Sequence, residues 1–401
     1  MPPTSTLQRR TRLRLLYVSH SFPLRGDPLS NVGGMQRVAT GLYHALAARP
    51  DVELHRLALE TAWEDTTLRM PPFMAGLLRG IPRAVERERI DVVLFSSMVT
   101  ATLALPLRRR LAAAGARLAA IPVGRDVTLP VAPYQWLVPR VMRSLDLVFP
   151  ISRATARECL ARGAAPERTH VVPCGVDTAA FAAPADRAAA RAELLRALGA
   201  DDLPPDALLL ASVGRHQERK GFQWFVSEVM QRLPEDVVYL LAGEGPMTPA
   251  IREAVAARGL GRRVLLPGQV PEDTLRALYR GADLFVMPNV PVPGDIEGFG
   301  VVMLEAGLCG LPVLAADLEG IRDVVSEGRS GHLLPSRDAA AFADAVLRYH
   351  ADRPALARAS AGAARHVADA FSWGAVAEQY LRVLRSGTRG GAVPRRRSAP
   401  R

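Results

Sequence analysis

Short apolar runs recur along this chain with a regular rhythm, and that rhythm constrains the fold more than any other feature. The first block holds "LRLLYVS" (13–19), "VELHRLAL" (52–59), "DVVLFSS" (91–97), "RLAAIPV" (117–123) and "DLVFPIS" (146–152). The second holds "ALLLASVG" (207–214), "VVYLLAG" (237–243), "RVLLPG" (263–268), "ADLFVMP" (282–288), "PVLAAD" (312–317) and "GHLLP" (331–335). Runs that are apolar throughout fit parallel strands covered on both faces. Between them lie stretches such as "MQRVATGLYHALAA", with apolar residues at helical spacing. Strand and helix in alternation predict an α/β fold built on doubly wound parallel sheets.

The rhythm breaks once, over 183–206, a stretch rich in Ala, Asp and Pro that ends in "DDLPPD". Two Rossmann-like domains are therefore expected, over 12–182 and 206–371. A closing helix over 372–386 is expected to return to the first domain, with a disordered basic tail over 387–401. A length of 401 residues suits two or three domains. In such sheets ligands sit at the strand C-termini, so chemistry-bearing loops of both domains should face one cleft.

Composition removes several functional classes. The three cysteines are far apart and imply neither disulfides nor a Cys-x-x-Cys metal site, which suits a reducing cytosol. "LLYV" is too short for a signal-peptide core, and no run reaches membrane-spanning length. A cytoplasmic protein is expected. The net charge of +11 is clustered arginine, in "QRRTRLR", "LRRR" and "PRRRSAPR". Such charge attracts anions or simply maintains solubility, and the latter is favoured for the tails. Without aromatic interleaving or zinc-finger spacing, no nucleic-acid partner is expected. "YQWLVPRVMRS" (134–144) mixes apolar and basic residues. It reads either as a helix packed on the sheet, the favoured reading, or as a patch for peripheral contact with an anionic membrane.

Three stretches carry chemistry. "SVGRHQERKGF" places Arg215 and Lys220 just after a strand, where two cations and a helix start suit a diphosphate. "PGDIEGFGVVMLEAGLCG" sets Glu297 before a helix that starts near Val301, and Glu305 within it. Gly298 and Gly300 allow close backbone approach to a ligand. Val301, Val302, Met303, Leu304 and Ala306 suggest a helix buried nearly all round, so Glu305 needs donors, which ribose hydroxyls would supply. "SNVGGMQRVATGL" places Gly33 and Gly34 before a helix, facing the same cleft; it is not a G-x-G-x-x-G fingerprint.

These stretches, in this order, resemble the retaining glycosyltransferases of family 4, with the GT-B fold. "GGMQRV" resembles the family's Gly-Gly loop. "VVPCGVDTAAF" resembles its P-N-G-V-D segment, with Cys174 where Asn is usual. "GRHQERKG" resembles G-R-x-x-x-x-K-G, and "EGFGVVMLEA" resembles the E-G-F-G-x-x-x-x-E-A signature. The likeness covers roughly 12–386. It implies a nucleotide-diphosphate sugar as donor substrate and no separate cofactor. Arg215 and Lys220 would bind the diphosphate, Glu297 the transferred sugar with help from the backbone at Phe299 and Gly300, and Glu305 the ribose. Gly34 would approach the phosphates, and the loop at Val270 would flank the base. The "GDIEG" loop resembles a variant seen in mannosyltransferases acting on lipid acceptors, which points to GDP-mannose and to a glycan or lipid-linked acceptor.

One departure stands out. Where the family has His-Gly-x-Asp or His-Gly-x-Glu, this chain has "PVGRDV", with Val123 in the histidine's place. Asp126 remains as a candidate contact to the acceptor. His20, at the end of the first strand, is a further candidate, with an ordinary loop histidine as the plainer reading. No Asp-x-Asp motif offers a metal site. The rival expectations are another GT-B enzyme, such as an epimerase or a phosphorylase, and a nucleotide-sugar-binding protein that does not catalyse.

Overall fold

The computed structural model describes residues 12–26, 34–62, 64–200, 202–204 and 206–386. The expected tail over 387–401, Gly33 and most of "QRRTRLR" lie outside them. The first sheet has five strands: β1 (Leu13–Phe22), β2 (Val52–Glu60), β3 (Val92–Phe95), β4 (Arg117–Ala120) and β5 (Leu147–Val148). Their order is β2-β1-β3-β4-β5, with every pairing parallel. The second has six: β6 (Leu208–Val213), β7 (Val237–Ala242), β8 (Val264–Gly268), β9 (Leu284–Met287), β10 (Val313–Ala316) and β11 (Gly331–Leu334). Their order is β11-β10-β9-β6-β7-β8, again all parallel.

Each apolar run thus forms a strand, and the central ones are fully buried, as helices on both faces require. The run at 146–152 yields only Leu147–Val148. Pro150 has no N–H for a ladder, so the chain continues through isolated bonds, Phe149 N–H to Ala120 O at 2.8 Å and Ile151 N–H to Pro122 O at 3.2 Å. Several helices start on capping side chains: Ser152, Asp186, Asp338 and Asp352 each accept from a backbone N–H three residues on.

The final helix, Trp373–Ser386, crosses from the second domain to the first. The preceding helix, Arg353–Phe371, packs against Val302–Leu308. The chain turns at Ser372, and Trp373–Ser386 then lies along Gly34–Ala47. Its far end is tied down by Arg385 to Asp51 at 2.5 Å and Arg49 to Glu378 at 3.0 Å, and Arg117 donates to Leu384 O. The junction depends on two glycines. A Cβ on Gly41 or Gly175 would meet the Trp373 ring at 2.2 and 2.5 Å. Gly175 lies in "VVPCGVD", whose Val176 N–H donates to Phe371 O at 2.8 Å. That segment is the seat on which the crossing chain turns.

Each sheet has one point where strand order reverses, between β1 and β3 and between β6 and β9. The loops leaving those strands line the crevices of the two domains.

Candidate active site between the two sheets

At the β6–β9 crevice two loops are laced together. Gly221 has φ +66°, and a Cβ there would meet Pro288 O at 1.9 Å. Only glycine permits that approach, and it brings the neighbouring Lys220 against the β9 loop. The Lys220 Nζ lies 2.6 Å from Glu297 Oε2, and both side chains are buried. Asn289 Nδ2 donates to the same oxygen at 3.4 Å, and Arg219 Nε stands 3.6 Å from it. Arg219 Nη1 also donates to Asp295 at 3.2 Å. Burial by itself would raise the Glu297 carboxyl, but the Lys220 and Arg219 charges override it and hold it below its ordinary range. Glu297 is therefore ionised and stiffly held through Oε2. Among the described residues no donor is placed on Oε1.

Arg215, at the end of β6, is exposed. The next residue, His216, is buried, with Nδ1 2.8 Å from Thr248 Oγ1. Sequence reasoning missed Arg219 and Asn289. Arg219 stands beside Lys220 within the same motif, whereas nothing near Asn289 signals a role.

Gly300 has φ +86°, and the helix Val302–Leu308 follows. It ends when Gly310, at φ +83°, lets the Leu311 N–H reach back to Ala306 O at 3.0 Å. Among the described residues no acceptor faces the backbone N–H groups of Phe299, Gly300, Val301 and Val302. Glu305 is fully buried, but its donors come from the protein. The Tyr279 hydroxyl donates to Oε2 at 3.0 Å, and Arg37 pairs with Oε1 from the opposite domain. Neither residue was legible as a partner. Arg37 comes from the helix Gly34–Ala47, so Gly34, its first residue, opens one turn away from this contact. Val270 is half-buried in the loop that leaves β8, on the same C-terminal edge of the sheet.

Asp126, the candidate contact to the acceptor, has both carboxylate oxygens engaged by backbone. It is buried, with Oδ2 accepting from the Met98 N–H and Oδ1 from the Val123 N–H, each at 2.8 Å. Its carboxylate braces the loops after β3 and β4. Burial pushes it up to about 6, although those backbone donors pull the other way. Val123 presents its carbonyl to the other domain: a Cβ on Gly298 would meet Val123 O at 2.7 Å, and one on Gly124 would meet Gly298 Cα at 3.2 Å. The cleft is closed at this point by glycine backbone. At the β1–β3 crevice, His20 lies within β1, buried, with Nδ1 3.2 Å from Ser97 Oγ. Burial lowers it to about 4, so the ring is neutral at ordinary pH.

The helix Ala132–Ser144 buries Val138, Val141 and Met142 against its domain, as the packing reading holds. Trp136 remains 61% exposed, with the Arg140 guanidinium 3.6 Å from its ring centroid. Among the described residues no helix is long and apolar enough to cross a membrane.

Comparisons with known proteins bear on this site. The family profile described as Glycosyltransferase Family 4 matches residues 32–180, and that described as Glycosyl transferases group 1 matches 207–352. The chain is 36% identical over 241 residues to D-inositol 3-phosphate glycosyltransferase 1 of Catenulispora acidiphila, covering 57% of this chain and 54% of that protein. Matches to proteins of that kind span about half their length. A fuller match is the GDP-mannose-dependent alpha-(1-6)-phosphatidylinositol monomannoside mannosyltransferase of Mycolicibacterium smegmatis, 32% identical over 379 residues, 90% of this chain and 95% of that protein. Among solved structures, the catalytic domain of starch synthase IV from Arabidopsis thaliana, bound to ADP and acarbose, aligns with TM-score 0.73 at 15% identity. That alignment covers 94% of this chain and 100% of the other, and the shared architecture is the GT-B fold. The chain belongs to glycosyltransferase family 4.

Proposed function

We propose that the chain transfers a sugar from a nucleotide-diphosphate donor to an acceptor hydroxyl, with retention at the anomeric carbon. The observation that supports this reading is the state of Glu297: one oxygen is fixed by Lys220, while among the described residues no donor reaches the other and none accepts from the backbone N–H groups of 299–302. An ammonium has three N–H donors, so Lys220 can keep Glu297 and still meet a phosphate. On this reading Arg215, Arg219 and the N–H groups of Phe299 and Gly300 contribute to the same diphosphate site. Glu297 Oε1 then accepts from a sugar hydroxyl. Glu305, with a lone pair left on each oxygen, holds the ribose while Arg37 yields ground. Gly34 approaches the phosphates, and Val270 flanks the base.

In the reaction the bond between the anomeric carbon and the diphosphate oxygen breaks, and the acceptor oxygen bonds to that carbon on the same face. The acceptor's proton passes to the departing diphosphate. Negative charge grows on the leaving group, and Lys220, Arg215 and Arg219 stabilise it electrostatically. The relative from Mycolicibacterium smegmatis, named for GDP-mannose and a phosphatidylinositol mannoside, favours GDP-mannose as donor and a lipid-linked acceptor. An acceptor of that kind would bring exposed Trp136 and its neighbouring arginines to an anionic membrane from the cytoplasmic side. One observation favours a second reading, a binding protein with little transfer: Val123 offers the sugar no imidazole.

The test is release of GDP from GDP-mannose, or UDP from UDP-glucose, with and without vesicles of phosphatidylinositol. Release that rises with vesicles supports both donor and acceptor assignments. Binding of either donor without release, across a panel of glycan and lipid acceptors, would favour the second reading.

A further inference from the structure

The turn Glu319–Asp323, which follows β10, touches both walls of the cleft. At its first end it grips the main chain of Glu297. The Glu319 carboxylate accepts from the Glu297 N–H, and the Gly320 N–H donates to Glu297 O at 3.2 Å. Among the described residues, Glu297 is the one member of 296–302 whose N–H has a protein acceptor. The contact is close: a Cβ on Gly320 would meet Gly298 O at 2.1 Å and Glu297 O at 2.7 Å.

Glu319 holds this place at a cost. Its φ is +43°, a left-handed conformation that glycine adopts freely and a residue with a Cβ does not. Glycine at 319 would relieve the backbone but would bring no acceptor to the Glu297 N–H. The side chain therefore accounts for the residue.

At its other end the turn meets the first domain. Asp323 Oδ2 accepts from the Arg153 N–H at 2.8 Å, and Oδ1 from Arg153 Nε at 2.6 Å. Arg153 Nη2 also donates to Arg322 O at 3.3 Å. Arg153 is the first residue of the helix Arg153–Ala161, whose positive end favours the carboxylate. The same corner holds Gly124: a Cβ there would lie 3.2 Å from Gly298 Cα and 3.6 Å from Thr155 Oγ1 of that helix. One continuous contact thus runs from the first domain through Asp323 and Glu319 to the backbone of Glu297.

We propose that Glu319 is a positioning residue that sets Glu297 for the transfer step, and that the Asp323–Arg153 contact makes this setting depend on docking of the two domains. The inference rests on the donor-site reading of Glu297. Lys220 and Asn289 hold the Glu297 side chain, while Glu319 and Gly320 hold its main chain. When the domains part, Asp323 loses its partner, the turn is released and Glu297 loosens. Glu297 is then placed only over a closed cleft, where water is excluded and an acceptor is present.

Two measurements on the full chain test this. Hydrogen exchange is followed in peptides covering 295–301, and release of GDP from GDP-mannose or UDP from UDP-glucose gives kcat and KM. Glu319→Gly and Asp323→Ala should each speed exchange at 295–301, and lower kcat, by roughly ten-fold or more. KM for the donor should stay within about three-fold. Glu319→Gln keeps an oxygen for the Glu297 N–H and should restore both readings to within about three-fold of the unsubstituted chain. The double variant should be no worse than Glu319→Gly alone. The proposal is overturned if Asp323→Ala leaves exchange at 295–301 unchanged, if Glu319→Gln fails together with Glu319→Gly, or if the loss lies in KM alone. Absence of nucleotide release by the unsubstituted chain would overturn the transferase reading instead, and the exchange measurement would still decide the coupling.

Discussion

His20, within β1, and Asp126, just after β4, are both buried in the first domain, and burial shifts them in opposite senses for stability. His20 is held neutral down to about pH 4. Its stabilising contribution is present above its ordinary value of 6.5 and is lost as pH falls through about 4. Asp126 is raised to about 6 from 3.8. Its contribution is present below the ordinary value and is lost as pH rises through about 6. Asp126→Asn removes only the second dependence. Its stability relative to the unsubstituted chain should therefore improve as pH rises from 4 to 7, by up to about 3 kcal/mol. Denaturant unfolding of both chains at several pH values measures this. A pH-independent difference would show that Asp126 is not the buried, neutral-preferring acid described above. The same scale shows what could be read from residues alone. Arg215, Lys220 and Glu297 stand in segments that leave strand ends, and Glu305 in the helix that follows one of them, a placement that follows from the apolar rhythm. Arg37, Tyr279, Asn289 and Glu319 act through partners brought together only by the fold; Arg37 is 268 positions from Glu305. For Asp126, the motif suggested a ligand contact, while the backbone donors that claim its oxygens were invisible.

The element that joins the two domains is the helix Trp373–Ser386, and its seat is built from absent side chains. Gly41 and Gly175 leave the space that the Trp373 ring occupies. Gly175→Ala should destabilise the chain by about 1–3 kcal/mol, because the indole cannot move without disturbing the crossing. Thermal unfolding reads the loss, and Gly175→Ala together with Trp373→Ala should recover part of it. Equal stability of Gly175→Ala and the unsubstituted chain would mean that the seat is loose. Strands were the most legible elements, since each apolar run forms one. Their ends were less so: β5 stops after two residues because Pro150 cannot continue the ladder. The glycine seat was not legible, because "VVPCGVD" does not say which distant ring will press on it.

At the scale of the molecule, two parallel sheets turn their reversal points toward one cleft, and the contacts that close it come in three kinds. Arg37 pairs with Glu305, glycine backbone meets at Gly124 and Gly298, and Arg153 meets Asp323. Each contact touches a residue assigned to the donor or a turn that holds one. On the proposed reading, closure and donor recognition share one surface, and a ligand that bridges them should tighten the whole chain. Arg215 offers the cleanest probe. Its side chain is exposed and no ion pair engages it among the described residues, so Arg215→Ala leaves the laced loops intact. Calorimetric titration of GDP into the unsubstituted chain should show one site per chain, and Arg215→Ala should weaken it about ten- to hundred-fold, or roughly 1.4–2.8 kcal/mol. The absence of binding by GDP, UDP and ADP alike, or identical affinity in Arg215→Ala, would contradict the assignment of this cleft to a nucleotide-diphosphate sugar.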